Sequence, residues 1–112
     1  MRRLNDRRGT RRYELHLPLQ YRVSQRGYLA LSGTGTTREL SSSGLSFRCR
    51  RPLPVGGHVE LSMEWPARHG ETPMEFIVTG IIVRSDGGRT AVRLTSKRFR
   101  TPDSGEEFRA TA

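Results

Sequence analysis

From Val59 to Trp65 the chain alternates without a break: Val59, Leu61, Met63 and Trp65 are apolar, and Glu60, Ser62 and Glu64 between them are polar. A period of two sends one set of side chains to a core and the other to water, so this segment is a half-buried strand and not a helix. The same alternation recurs along the chain. Tyr13, Leu15, Leu17, Leu19, Tyr21 and Val23 share one parity, with His16, Pro18, Gln20 and Arg22 on the other. Leu45, Phe47 and Cys49 alternate with Ser46 and Arg48, and Thr90, Val92 and Leu94 mark a last strand. Residues 28–39 read as a returning strand loosened by Gly33 and Gly35, and residues 74–83 as a strand with a bend or bulge at Gly80. Turn chemistry separates these runs: Gln25-Arg26-Gly27, a serine-rich turn, the Pro- and Gly-rich residues 51–57, a polar loop at 67–73 after Pro66 closes its strand, and Ser85-Asp86-Gly87-Gly88-Arg89. Pro18 cannot donate to a ladder, so its strand is an edge or carries a bulge there. Strands at near-regular spacing with tight turns predict an all-β fold, a small antiparallel six-stranded barrel, closed or nearly so.

Length and composition set the scale. A chain of 112 residues supports one domain with one modest core. With 33% hydrophobic residues and a mean hydropathy of −0.65 that core must be economical. The reading is a flexible basic arm at residues 1–9, a barrel domain at 10–99, and a polar tail at 100–112 that forms at most a short turn near 106–109. A formal charge of +9 favours an anionic partner, with nucleotide, nucleic acid and anionic lipid as candidates.

Cys49 is the only cysteine, which excludes an intrachain disulfide and fits a reducing, cytoplasmic setting. No apolar run is long enough for a membrane helix, and the N-terminal arginines lack the apolar stretch of a signal peptide. His16, His58 and His69 have no partners at ligand spacing, so no structural metal is expected. Ser42, His58 and Asp86 form no recognisable nucleophile arrangement, and there is neither a Gly-x-Ser-x-Gly elbow nor a Walker-type loop. A binding protein is expected, not an enzyme. Phe47 and Trp65 lie on the core parity and read as packing residues, and Cys49 as an inert buried thiol.

Two motifs carry the functional signal. Arg8 and Arg12 form an Arg-x-x-x-Arg step just before the first strand, and Glu39-Leu40-Ser41-Ser42-Ser43-Gly44 forms an acid-x-Ser-x-x-Gly turn. Guanidinium groups fork onto phosphate oxygens or onto guanine O6 and N7, and they also stack on base planes. In order and spacing the two motifs resemble those of the PilZ domain, the bacterial receptor module for cyclic di-GMP, over about residues 7–99. The resemblance implies a PilZ-type barrel that binds cyclic di-GMP and signals in trans to an effector protein. It assigns Arg8 and Arg12, helped by Arg7, to phosphates and guanine edges, with Glu39, Ser41 and Gly44 as the opposing wall. The ligand would order the arm against the barrel. Gly44 would supply a positive φ or a close backbone approach. PilZ domains normally carry Asp or Asn where this chain has Glu39, one methylene longer. Two alternatives stay open: a degenerate PilZ module that serves as a protein-interaction adaptor, and a basic barrel for single-stranded nucleic acid, for which few exposed aromatics are available.

Overall fold

The computed structural model describes residues 12–69, 72–101 and 107–109. The basic arm, with Arg7 and Arg8, lies outside the described residues. Eight strands follow one another: β1 (Tyr13–Glu14), β2 (Pro18–Gln25), β3 (Tyr28–Leu40), β4 (Gly44–Cys49), β5 (His58–His69), β6 (Thr72–Asp86), β7 (Arg89–Arg100) and β8 (Glu107–Arg109). The six long strands are the six expected from alternation, and they close a ring. β3 pairs with β2, β2 with β5, β5 with β6, β6 with β7, β7 with β4, and β4 returns to β3, each pairing antiparallel. The fold is the all-β antiparallel barrel that the pattern of the sequence predicts.

Period two places Leu19, Tyr21 and Val23 of β2 inside, against Val59, Leu61 and Met63 of β5 and Leu45 and Phe47 of β4. Burying each such side chain contributes about 1.5–3 kcal/mol before conformational entropy is counted. Trp65, Phe76 and Phe99 form a tilted aromatic cluster with centroids 4.7 to 5.5 Å apart. Tyr13 shares the parity of Leu19 but is 54% exposed, because β1 lies outside the six-stranded ring. Cys49 is half-buried, not buried, with its thiol 3.1 Å from the Arg51 carbonyl oxygen.

Several boundaries differ from the sequence reading. The first strand does not run unbroken from Tyr13 to Val23: it breaks at residues 15–17, and Pro18 opens β2, which is paired on both sides and bulges between Val23 and Ser24 and not at Pro18. Pro66 does not end its strand: a register shift between Trp65 and Arg68 absorbs it, and β5 runs on to His69. Most of the expected polar loop is therefore strand, with β6 resuming at Thr72. The last strand does not stop at Leu94 but reaches Arg100, and residues 107–109 pair with it as β8 instead of forming a turn. Polar cross-strand contacts join the Phe76–Phe99 pair along this extension. Thr79 meets Ser96 at 2.6 Å, and Arg100 pairs with Glu75 at 2.8 Å. Gly80 does mark a bulge, between Thr79 and Gly80, where a Cβ would collide with the Arg93 carbonyl oxygen.

Burial pushes the Tyr21 phenol above its ordinary value; Cys49 adds to the rise and Arg51 opposes it. The folded protein therefore ionises this tyrosine at higher pH than the unfolded chain does. Stability linked to it is complete below about pH 10, the unfolded value, and is lost as pH rises through the folded value. Wild type is expected to lose urea stability above that pH more steeply than Tyr21→Phe. Parallel pH profiles for the two proteins would remove the assignment.

Candidate functional site

The site begins with a mismatch in length. Glu14 stands opposite Glu39 and Pro18 opposite Thr36, so residues 15–17 must face residues 37–38. Thr37, fully buried, takes up the extra residue. Its hydroxyl accepts a hydrogen bond from the Leu17 N–H at 2.8 Å and donates one to the Leu15 carbonyl. Its own N–H donates to the Leu17 carbonyl at 2.9 Å, and the Leu15 N–H donates to the Arg38 carbonyl at 3.0 Å. These bonds hold β1 beside the end of β3, with Tyr13 opposite Leu40, and so bring Arg12 next to Glu39. Thr37→Val keeps the shape but leaves the half-buried Leu17 N–H and Leu15 carbonyl without the hydroxyl. It should cost about 1–3 kcal/mol in urea denaturation, with Thr37→Ser close to wild type. A Thr37→Val protein as stable as wild type would show that the hydroxyl does not hold this junction.

Arg12 Nη1 lies 3.8 Å from Glu39 Oε1, with the two side chains 52% and 40% exposed. An ion pair this open contributes about 0–1 kcal/mol, so a stronger anion can displace the carboxylate from the guanidinium. The turn beyond Glu39 is held by its own atoms. The Ser41 hydroxyl accepts from the Gly44 N–H at 3.1 Å and from the Ser43 N–H at 3.3 Å, and the Ser41 N–H donates to the Gly44 carbonyl at 2.8 Å. β7 clamps it from the other side: Lys97 Nζ donates to the Ser42 carbonyl at 3.0 Å, and the Leu94 N–H to the Ser43 carbonyl at 2.9 Å. The Ser41 hydroxyl thus shapes the turn, as ST-turn hydroxyls do. Gly44 does not have a positive φ. Its close approach is to β7, where a Cβ would stand 3.2 Å from the Val92 carbonyl oxygen.

Arg12, Glu39, Ser41 and Gly44 line one concave cavity of about 350 Å³. Arg7 and Arg8 lie outside the described residues. The β6–β7 hairpin adds Arg84 and Arg89, so that three guanidinium groups face one carboxylate across a floor that includes Ala91 and Val92. Sequence reasoning did not single out Arg84 or Arg89. Their position either side of an Asp-Gly-Gly turn was visible, but the β4–β7 pairing that carries the hairpin to the serine turn is non-local. A larger groove of about 510 Å³ follows Gln20, Ser62 and Glu64 on the outer face of β2 and β5, and no basic side chain lines it. It suits an anion poorly.

A family model for the PilZ domain matches residues 2–110, nearly the whole chain. The chain belongs to the PilZ family. PilZ domains are binding modules, generally receptors for cyclic di-GMP. No curated protein and no solved structure matches this PilZ domain. Among its described residues, no helix is long and apolar enough to cross a membrane, and no group of three or more His, Cys, Asp or Glu side chains is placed to hold a metal ion.

Proposed function

We propose that this PilZ domain is a cytoplasmic receptor for cyclic di-GMP that passes the signal to a separate effector protein. The observation that carries the reading is the shared cavity, in which Arg12 of one motif faces Glu39, Ser41 and Gly44 of the other. Arg12, with Arg8 and Arg7 of the preceding segment, clasps phosphates and the O6 and N7 edge of guanine. Glu39 accepts from the guanine N1 and N2 hydrogens, the Ser41 turn holds the opposing wall, and Gly44 lets the backbone come close. Ligand binding neutralises the arginines ahead of β1 and draws that segment onto the barrel. The effector reads the surface so formed.

The Arg12–Glu39 ion pair favours one second reading, an adaptor in which the longer acid occupies the arginine and no nucleotide binds. Calorimetry with cyclic di-GMP on wild type, Arg8→Ala and Glu39→Asp separates the two. A receptor gives heat with wild type and loses most of it in Arg8→Ala. Silence from wild type with recovery in Glu39→Asp identifies the adaptor. Tighter binding of mixed single-stranded oligonucleotides than of the dinucleotide at physiological salt would replace both readings with a nucleic-acid barrel.

A further inference from the structure

The β6–β7 hairpin places charge where a sheet ordinarily avoids it. Arg89 stands directly opposite Arg48 on β4, and like charges in that relation destabilise a strand pair. Both are exposed. In the neighbouring row of the same pairing Ser46 faces Ala91, and Gly44 follows opposite the exposed Arg93, so Gly44, Ser46 and Ala91 leave the surface beside the arginines low. Arg84 stands opposite Ala91 on the other flank. Its Nε is 3.8 Å from the Asp86 carboxylate, beyond hydrogen-bond distance, with both side chains more than 70% exposed. Asp86 is also the register partner of Arg89, so a single acid serves two arginines at the hairpin. Arg84 and Arg89 line the cavity that holds Arg12 and Glu39.

We infer that Arg84 and Arg89 form a second anion-binding wall, facing Arg12 across the Gly44–Ser46–Ala91 floor, and that this wall takes a phosphate or phosphodiester group. A bound anion turns the Arg48–Arg89 repulsion into a shared attraction, and the low floor lets a phosphate reach both guanidinium groups from above. Arginine suits the role because its planar fork meets two phosphate oxygens at once. With one basic wall at Arg12, just ahead of β1, and another on the hairpin, the cavity matches a ligand with two separated phosphates better than one with a single phosphate. The identity of that ligand as cyclic di-GMP rests on the receptor reading above; the wall itself rests on the cavity and the strand register.

Two probes keep those claims apart. Side-chain Nε–H signals of the arginines are followed by NMR during titration with inorganic pyrophosphate, and calorimetry is run with cyclic di-GMP. Wild type, Arg84→Ala/Arg89→Ala and Arg22→Ala are compared; Arg22 is exposed on β2, away from the cavity. The inference expects pyrophosphate to shift the Arg84 and Arg89 signals. It also expects the double variant to bind either probe at least tenfold more weakly, with Arg22→Ala near wild type. Pyrophosphate shifts without dinucleotide binding would keep the wall and remove the cyclic di-GMP reading. Dinucleotide binding unchanged in the double variant, or an equal loss in Arg22→Ala, would overturn the wall and leave the receptor reading standing. Absence of any response at Arg84 and Arg89 to both probes would also overturn it.

Discussion

Phe47→Ala is expected to lower the unfolding free energy by about 3–5 kcal/mol, the usual cost of removing a large aromatic side chain from a packed core. Phe47 is fully buried at the middle of β4, where Thr37 faces it on β3 and Thr90 on β7. Its ring lies 6.0 Å from that of Tyr21, across the barrel interior. Strands on both sides are held in the closed ring, so little can collapse into the space that the ring vacates. Domains of this kind have about 5–15 kcal/mol in total, so the loss is a large share of it. Trp65→Ala makes the contrast: Trp65 is only half-buried, in the cluster with Phe76 and Phe99, and its removal should cost less. Urea denaturation of both variants with equal slopes tests the ranking. A Phe47→Ala protein no less stable than Trp65→Ala would place the core elsewhere.

That contrast shows how far alternation can be read. Parity put Phe47 and Trp65 on the same core face, but it says nothing of distance from the barrel's middle, which separates the fully buried ring from the half-buried one. Most of the six long strands were legible because their interior faces are apolar at nearly every second position; β3, whose inward positions include Gly33, Gly35 and Thr37, was marked mainly by the turns on either side of it. The end of β5 was not, since a bulge lets the strand pass Pro66 and no local pattern announces a bulge. The extension of β7 was hidden for another reason. Thr95, Ser96, Lys97 and Arg98 are polar on both parities, and their partners Thr79 and Glu60 lie far away in sequence. Thr37 looked like an ordinary strand residue, yet its hydroxyl absorbs the extra residue between β1 and β2. In the site, the motif spacing pointed to Arg12, Glu39, Ser41 and Gly44, which the fold gathers around one cavity. Arg84 and Arg89 depend on the β4–β7 register, which no segment of the chain encodes alone.

The largest functional effect is expected at Arg12. Arg12→Ala should weaken cyclic di-GMP binding by about 10–150-fold, the equivalent of one charge-assisted hydrogen bond at about 1.5–3 kcal/mol. Stability should change by no more than about 1 kcal/mol, because the only ion pair recorded for Arg12 among the described residues is the open one with Glu39. Arg12→Lys keeps the charge but not the planar fork, and should recover only part of the affinity. Removing the other partner acts in the opposite sense on the same guanidinium. Glu39→Gln frees Arg12 of its carboxylate yet deletes an acceptor for guanine, so affinity for inorganic pyrophosphate should rise while affinity for the dinucleotide falls. The split arises because the phosphate needs only the arginine, whereas the base needs the carboxylate as well. Calorimetry with both ligands on the three variants checks it. If Glu39→Gln raises both affinities, Glu39 acts only as a counter-charge to Arg12 and does not read the base.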